Sequence, residues 1–245
     1  MKIIAIIPSR YNSTRFAGKP LKLINGVPMI QRVYERIVDS PQIDNIYVAT
    51  DDKRIQEVVK NFGGNVIMTS SLHESGSDRV YEAANHLGMD IEDLIINVQG
   101  DQPLVDARCL SDLIKPFSGK KHPEMATLAL PLRSSDKLDN PRDVKVVFDL
   151  EGYALYFSRS VIPFHRKSTK DITIYKHLGL YAYKKKFLGI FNKLAVGKLE
   201  NIEKLEQLRS IEHGYGIYVA ITKYDSPEVD TLSDVKQIEN KIKGV

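Results

Sequence analysis

The apolar positions of this chain form short runs separated by stretches of helical periodicity, and the first run sets the pattern. Ile3, Ile4, Ala5, Ile6 and Ile7 make a largely β-branched stretch without alternation, as expected of a central parallel strand covered on both faces. After a polar loop, Pro28 stands where a helix would begin, and Met29, Ile30, Val33 and Ile37 follow at helical spacing, completing a first βα unit by Ser40. Ile43 to Thr50 reads as a second strand. The segment DKRIQEVVKNF then reads as a helix stopped by Gly63 and Gly64, and Asn65 to Thr69 as a short third strand. A helix from Ser77 to Gly88 precedes the apolar run DLIINV, which empties into Gln99, Gly100 and Asp101.

Strands alternating with helices predict an α/β fold with a mostly parallel sheet. From about Met125 the pattern changes to strand-like pieces, MATLAL, VKVVFDL, YALYFSR and HLGLYAY, with no obvious crossover helices. We therefore expect Ala126 to about Lys184 to be largely an antiparallel extension, with helices resuming near Leu199. YGIYVAIT restores a strand, and the helix after it has Thr231 or Ser233 as its cap. Residues 1–245 are expected to form a single domain.

Composition narrows the function classes. The 35 Lys and Arg against 31 Asp and Glu give a net charge of +4, and the signs are interspersed, so neither a nucleic-acid nor a membrane surface is indicated. The single cysteine, Cys109, excludes an intrachain disulfide, and without a CxxC or Cys/His cluster there is no zinc signature. Cys109 reads as a small buried hydrophobe. Met1 leads directly into a strand far shorter than the roughly 20 apolar residues needed to span a bilayer, so a cytoplasmic protein is expected.

Chemistry concentrates in the loop after the first strand, PSRYNSTRFAGKPL. Arg10, Arg15 and Lys19 supply cations, Ser9, Ser13 and Thr14 hydroxyls, and Gly18 close backbone approach, a combination suited to a polyanion. The loop lies at the carboxyl end of the sheet, where open α/β folds bind ligands. It matches neither GxxxxGK[ST] nor GxGxxG, which argues against a dehydrogenase. Asp101 in NVQGDQP leaves the same sheet edge, and Asp230 in EVDTL lies at another sheet end. Together they can hold Mg²⁺, which takes one or two carboxylates and completes its shell with water and phosphate oxygens. Asp beside Gly is also ordinary turn chemistry.

PSRYNSTRFAGKPL, SGSDR (Ser75 to Arg79), NVQGDQP, EGYALYFSR, HLGLY, LEQLR and VDT, in this order and across nearly the whole chain, resemble the CMP-Kdo synthetases, the 3-deoxy-manno-octulosonate (Kdo) cytidylyltransferases. The opening loop alone is similar to several sugar nucleotidyltransferases, CMP-sialate synthetases included. The resemblance implies a Rossmann-like three-layer nucleotidyltransferase fold, with residues 126–215 as a sugar-binding and dimerisation subregion. It implies a homodimer that joins CTP to Kdo with Mg²⁺, giving CMP-Kdo and pyrophosphate, a step of lipopolysaccharide synthesis. By the same resemblance Arg10 and Lys19 hold the CTP phosphates with Ser13, Thr14 and Arg15, and Asp101 and Asp230 hold the metal. Catalysis falls to Arg10, Lys19 and Asp101. Ser75, Gly76 and Arg79 line the cytosine and ribose pocket, although SGSDR also reads as a helix cap. Gln99, Arg159, Arg166, His177, Tyr181 and Glu206 face the sugar acid. Without the resemblance, His177 reads as a structural histidine, Arg159 as a surface charge and Glu206 as part of a solvated helix face.

Two positions depart from the expected pattern. Gln102 stands where QGDEP carries an acid, and SGSDR stands where SGTER is expected. The departures leave open a branch that activates the 8-amino analogue of Kdo. A non-catalytic nucleotide-sugar sensor would keep the basic loop but would not need the two aspartates.

Overall fold

The computed structural model describes residues 1–12, 16–132, 138–166 and 173–244. The amino-terminal half follows the expected βα order. β1 (Ile3–Ser9) leads through a 3₁₀ turn (Lys19–Leu21) and a two-stranded hairpin, β2 (Leu23–Ile24) and β3 (Val27–Pro28), into α1 (Met29–Ile37). Then come β4 (Asn45–Thr50), α2 (Lys53–Asn61), β5 (Val66–Met68), α3 (Gly76–His86) and β6 (Leu94–Asn97). The hairpin turns on Asn25 and Gly26, both at positive φ (46° and 77°), the backbone that an Asn-Gly pair adopts at low cost.

The rest of the chain departs from the sequence expectation in three places. α4 (Ala107–Ser118) follows β6 directly, capped by Asp106, with Cys109, Leu110, Leu113, Ile114 and Phe117 buried. Its apolar spacing is helical, although Pro116 in the last turn obscures it. β7 (Met125–Pro131), β8 (Lys145–Phe148), β9 (Ala154–Ser158) and β10 (Tyr175–Lys184) follow. The sheet runs β7, β10, β6, β1, β4, β5. The antiparallel part expected after Ala126 is thus partly inside the main sheet. β10 is wedged between β6 and β7, antiparallel to both, and only β8 and β9 project from it as an extension. Helices resume earlier than expected, with α5 (Lys185–Phe191), then α6 (Lys198–Glu203) and α7 (Leu208–Glu212). β11 (Tyr218–Ile221) pairs in parallel with β7 at the sheet edge, and α8 (Leu232–Lys243) closes the described chain with Thr231 as its cap.

Alternation along β1 explains the three layers. Ala5 and Ile7 pack with α1, α2 and α4 on one face, while Ile4 and Ile6 pack with α3, α5 and Leu208 of α7 on the other. A strand buried on both faces needs apolar residues at every position, which is what the first run of the sequence supplies. Cys109 is buried in the first cluster, and burial pushes its thiol up to about 11, so it is inert packing as expected. Ile24 and Met29 join Val229, Val235 and Ile238 in a separate cluster that seats α8 on the hairpin. Glu239 of α8 fastens the hairpin turn by accepting from the Asn25 amide at 2.9 Å. The carboxyl-terminal segment is thereby brought back to the loop that follows β1.

Below the sheet's second face, α6 and α7 are joined by one paired charge. Arg209 donates from Nε and Nη2 to the two Glu200 carboxylate oxygens at 2.8 and 2.6 Å, with both side chains about nine-tenths buried. A buried pair of this kind is costly to break from one side, because the remaining charge stays desolvated. Arg209→Ala is expected to lower the unfolding free energy by about 3 kcal/mol, measured by urea denaturation. A loss below about 1 kcal/mol would show that water replaces the guanidinium.

Candidate active site

The loop after β1 and the loop after β6 leave neighbouring parallel strands, and Gly100 lets them come together. A Cβ on Gly100 would sit 2.8 Å from Ser9 Oγ and 3.2 Å from the Pro8 carbonyl, so a larger residue would push the two strand ends apart. Around them lies a cavity of about 230 Å³, lined on one side by Ser9, Arg10, Lys19, Gln99, Gly100 and Asp101. The start of α3 supplies Ser75, Gly76 and Arg79, with His73 and Glu74 beside them. The predicted nucleotide-side residues within the described chain thus face one space. Ser13, Thr14 and Arg15 lie outside the described residues.

Lys19 is the centre of this edge. Gly18, at φ 70°, turns the chain into the 3₁₀ segment, and Lys19 Nζ then donates to Asp101 Oδ2 at 2.7 Å and Asp230 Oδ1 at 3.1 Å. Burial alone would lower the Lys19 pKa, but the two carboxylates hold it above its ordinary value. Asp230 is fixed from behind by α8. Its amide and that of Thr231 both donate to Asp234 Oδ2 at 2.8 Å, and Arg142 grips Asp234 with two hydrogen bonds of 3.2 and 2.7 Å. The Val229 amide donates to the Asp101 carbonyl at 2.9 Å, tying the two acidic segments together.

SGSDR caps α3, through Ser75 and not Ser77. Ser75 Oγ accepts from the Asp78 amide, and the Asp78 carboxylate accepts from the Ser75 amide, closing a capping box on α3. Ser75, Gly76 and Arg79 nevertheless line the cavity. Arg79 is buried, donating to Thr69 Oγ1 at 2.5 Å and pairing with Asp51 at 3.3 Å. Ser77 does not cap. It donates to the Glu206 carboxylate, so the SGSDR and LEQLR motifs form a contact across the structure. Burial pushes the Glu206 carboxyl above the usual range, against the pull of Ser77 and Arg209.

A second cavity, of about 420 Å³, adjoins the first, with Asp101 lining both. Asn140, Arg142, Arg159, Lys176, His177, Gln207, Glu228 and Asp230 are on its wall. Of the residues expected on the sugar side, Arg159 and His177 are here, Gln99 lines the first cavity instead, and Tyr181, Arg166 and Glu206 line neither. Tyr181 packs between His177 and Tyr183, at ring separations of 5.5 and 5.8 Å, and Arg166 is exposed. Arg159 is held by carbonyls, not by a countercharge. Its guanidinium donates to Glu203 O at 2.8 Å, Pro141 O at 3.0 Å and Lys204 O at 3.4 Å. Fully buried Lys145 braces the same corner through the Asn140 and Arg159 carbonyls, at 2.8 and 3.2 Å. An arginine positioned this way keeps its positive charge for an anion.

Sequence reasoning missed Glu228, Gln207, Lys176, Arg142 and Asn140. Glu228 was legible in one respect: buried Val229 separates it from Asp230, a polar-apolar-polar alternation that sends both acids to the same side. By accessible surface Glu228 is an exposed residue, and it opens onto the cavity. Desolvation, with the charges of Asp101 and Asp230 added, pushes it up to about 7.

His177 lies beside the register shift in β10 between Leu178 and Tyr181. Thr127 Oγ1 is 2.8 Å from the Leu180 carbonyl and 2.9 Å from His177 Nε2. Its single proton goes to the carbonyl, so His177 must carry its proton on Nε2. Burial pushes the ring down to about 3, leaving it a neutral hydrogen-bonding group at physiological pH. Unfolded histidine takes a proton near 6.5 and the folded ring only near 3, so stability declines as pH falls through that window. The ring ¹⁵N shifts should stay those of the neutral Nε2–H tautomer from pH 8 to pH 5. A titration midpoint above pH 5.5 would refute the buried geometry.

Comparisons with known proteins point to one family. A family model described as cytidylyltransferase matches residues 4–221. A 3-deoxy-manno-octulosonate cytidylyltransferase from Desulfosudis oleivorans is 52% identical over 239 residues, covering 98% of this chain and 96% of the relative. An 8-amino-3,8-dideoxy-manno-octulosonate cytidylyltransferase from Shewanella sp. strain ANA-3 is 52% identical over 245 residues, covering 99% of each. The solved structure of a CMP:2-keto-3-deoxy-manno-octonic acid synthetase complexed with CTP superposes with a TM-score of 0.92 at 36% identity, covering 100% of this chain and 99% of that one.

Proposed function

The chain belongs to the cytidylyltransferase family, and from that premise we propose that it transfers CMP from CTP to the anomeric hydroxyl of 3-deoxy-manno-octulosonate or its 8-amino analogue, releasing pyrophosphate. The observation that carries the reading is the pair of adjoining cavities sharing Asp101. One is edged by Arg10 and Lys19 for phosphates, and the other contains Arg159, which pairs with no carboxylate among the described residues. Two substrates held in them meet at the shared residue.

In this reading CTP occupies the first cavity, with its base and ribose toward Ser75, Gly76 and Arg79 and its phosphates toward Arg10 and Lys19. The sugar carboxylate pairs with Arg159 in the second, which aims the adjacent anomeric hydroxyl at the α-phosphorus for in-line attack. Lys19 and Arg10 stabilise the negative charge that collects on the phosphate oxygens and the departing pyrophosphate. His177, neutral, contributes orientation and no charge.

Asp101 and Asp230 fit Mg²⁺. They already converge on one cation, Lys19 Nζ, and carboxylate oxygens are the hard donors this ion requires. Among the described residues no group of three His, Cys, Asp or Glu side chains is placed to hold a metal. The protein then supplies two ligands, leaving the rest of the shell to water and phosphate. When bound, the ion neutralises phosphate charge and holds CTP at the junction of the cavities.

A pyrophosphate-release assay of the four nucleoside triphosphates crossed with the two octulosonates and a sialic acid tests the reading. Turnover is expected with CTP and an octulosonate. Asp101→Asn and Asp230→Asn are each expected to lower kcat by about 10²-fold or more and to raise the Mg²⁺ concentration for half-maximal rate. Near-wild-type turnover in both variants at limiting Mg²⁺ would refute the metal assignment. A nucleotide-sugar sensor would show binding without pyrophosphate release.

A homodimer belongs to the same proposal. Leu155, Val161 and Phe164 stand exposed in and just beyond β9, an apolar face that a second copy would cover. Sedimentation at micromolar concentration is expected to give twice the 27.7 kDa chain mass. A single 27.7 kDa species would overturn it.

A further inference from the structure

The second cavity carries a charge arrangement that a sugar acid with only hydroxyl substituents leaves unused. Glu228 lines it, and among the described residues its side chain has one hydrogen bond, received from Gln102 Nε2 at 3.3 Å. Of the three cations on the wall, Arg159 is held by main-chain carbonyls and the other two are engaged with other carboxylates. Lys176 is shared between Asp143 and Asp225, at 3.2 Å each, and Arg142 is paired with Asp234 at 2.7 Å. Lys19 is already divided between Asp101 and Asp230. The cavity therefore presents a carboxylate that no cation among the described residues pairs with directly.

Gln102 is built to keep Glu228 in that state. It is fully buried. Its Oε1 accepts from Ser226 Oγ at 3.1 Å, which directs the amide nitrogen toward Glu228. An acid at position 102 would set two carboxyls against each other at this distance and force one to take a proton. The departure at Gln102 noted in the sequence is thus the neutral donor that a second acid, Glu228, requires beside it.

A third feature shows that the cavity expects a polar occupant. Gln207 is 5% exposed and on the same wall, yet its Nε2 has no hydrogen-bond partner among the described residues. A buried amide left unpaired is costly, and a hydroxyl-rich ligand would satisfy it. Donor, anion-binding arginine and unbalanced carboxylate are then one wall for a ligand bearing hydroxyls, a carboxylate and a cation.

We infer that Glu228 is a specificity-determining residue that receives an ammonium substituent of the sugar acid, so that this chain favours the amino-substituted octulosonate over its hydroxyl counterpart. The inference rests on the cytidylyltransferase reading and concerns the sugar cavity of that same reaction. An ammonium supplies charge and three donors to the carboxylate, whereas a hydroxyl in its place supplies one donor and no charge. A site built around a charged partner discriminates strongly against the analogue that lacks it.

The test is kcat/KM for 8-amino-3,8-dideoxy-manno-octulosonate and for 3-deoxy-manno-octulosonate, with saturating CTP and Mg²⁺, in wild type, Glu228→Gln and Glu228→Asp. Wild type is expected to prefer the amino sugar at least tenfold. Glu228→Gln should reduce the ratio of the two kcat/KM values by about tenfold or more, with the change in KM for the amino sugar, and Glu228→Asp should retain part of the preference. Equal loss for both sugars, or a raised Mg²⁺ requirement with either, would overturn the inference by making Glu228 a structural or metal group. Wild-type preference for the hydroxyl sugar would also overturn it, while leaving the cytidylyltransferase reading in place. Absence of pyrophosphate release with both sugars would defeat the two together.

Discussion

Lys19 joins three parts of the chain that have little else in common. Its ammonium is divided between Asp101, 82 residues away, and Asp230, 211 residues away. Without a cation between them, two carboxylates at this separation would repel. With it, the loop after β1, the loop after β6 and the segment before α8 share one edge of the sheet. Everything read as nucleotide chemistry is arranged about that point: Arg10 and Ser9 from one side, Gln99 and Gly100 from another, and Ser75 and Arg79 from the start of α3. In the proposed reading, the aspartates that hold this ammonium are those that would hold the metal.

The second cavity depends on a different constraint, the reversal of one strand. β10 runs antiparallel between β6 and β7, and its register shift falls at Leu178 to Tyr181, beside Gly179. There Thr127 receives the His177 ring and satisfies the Leu180 carbonyl. A bulge re-aims side chains locally, and here it lies on the wall shared with Asp101 and Glu228. The extension made by β8 and β9 delivers Arg159, and buried Lys145 at the base of that extension locks the carbonyls around it. The sugar side is thus assembled from elements whose pairing is non-local, while the nucleotide side comes largely from βα loops.

Electrostatics distinguish the two spaces. The cations around Lys19 face a region suited to phosphate, and the carboxylates there are balanced. Glu228 has no ion pair among the described residues, and Lys176 and Arg142 pair with Asp143, Asp225 and Asp234. In the proposed reading, charges in the second cavity would bear on which sugar acid is accepted, and those at the shared edge on the transfer of the nucleotidyl group.

Local patterns along the sequence determined the order of βα units, the two-sided burial of β1, the helices capped by Asp52, Ser75 and Thr231, and the chemistry of the loop that contains Lys19. These depend on residues a few positions apart, where periodicity and capping act directly. The resemblance of the motifs extended this to the family. Only the tertiary structure decided that β10 enters the main sheet, because an apolar strand run carries no mark of its direction or neighbours. It also decided that Ser77 meets Glu206 when a cap was equally legible, and that Glu206 and Tyr181 turn away from both cavities while Gln207 and Glu228 line one. Those outcomes depend on which distant segments are buried together, and on which charges remain after neighbouring ones have paired, quantities that exist only once the chain has closed on itself.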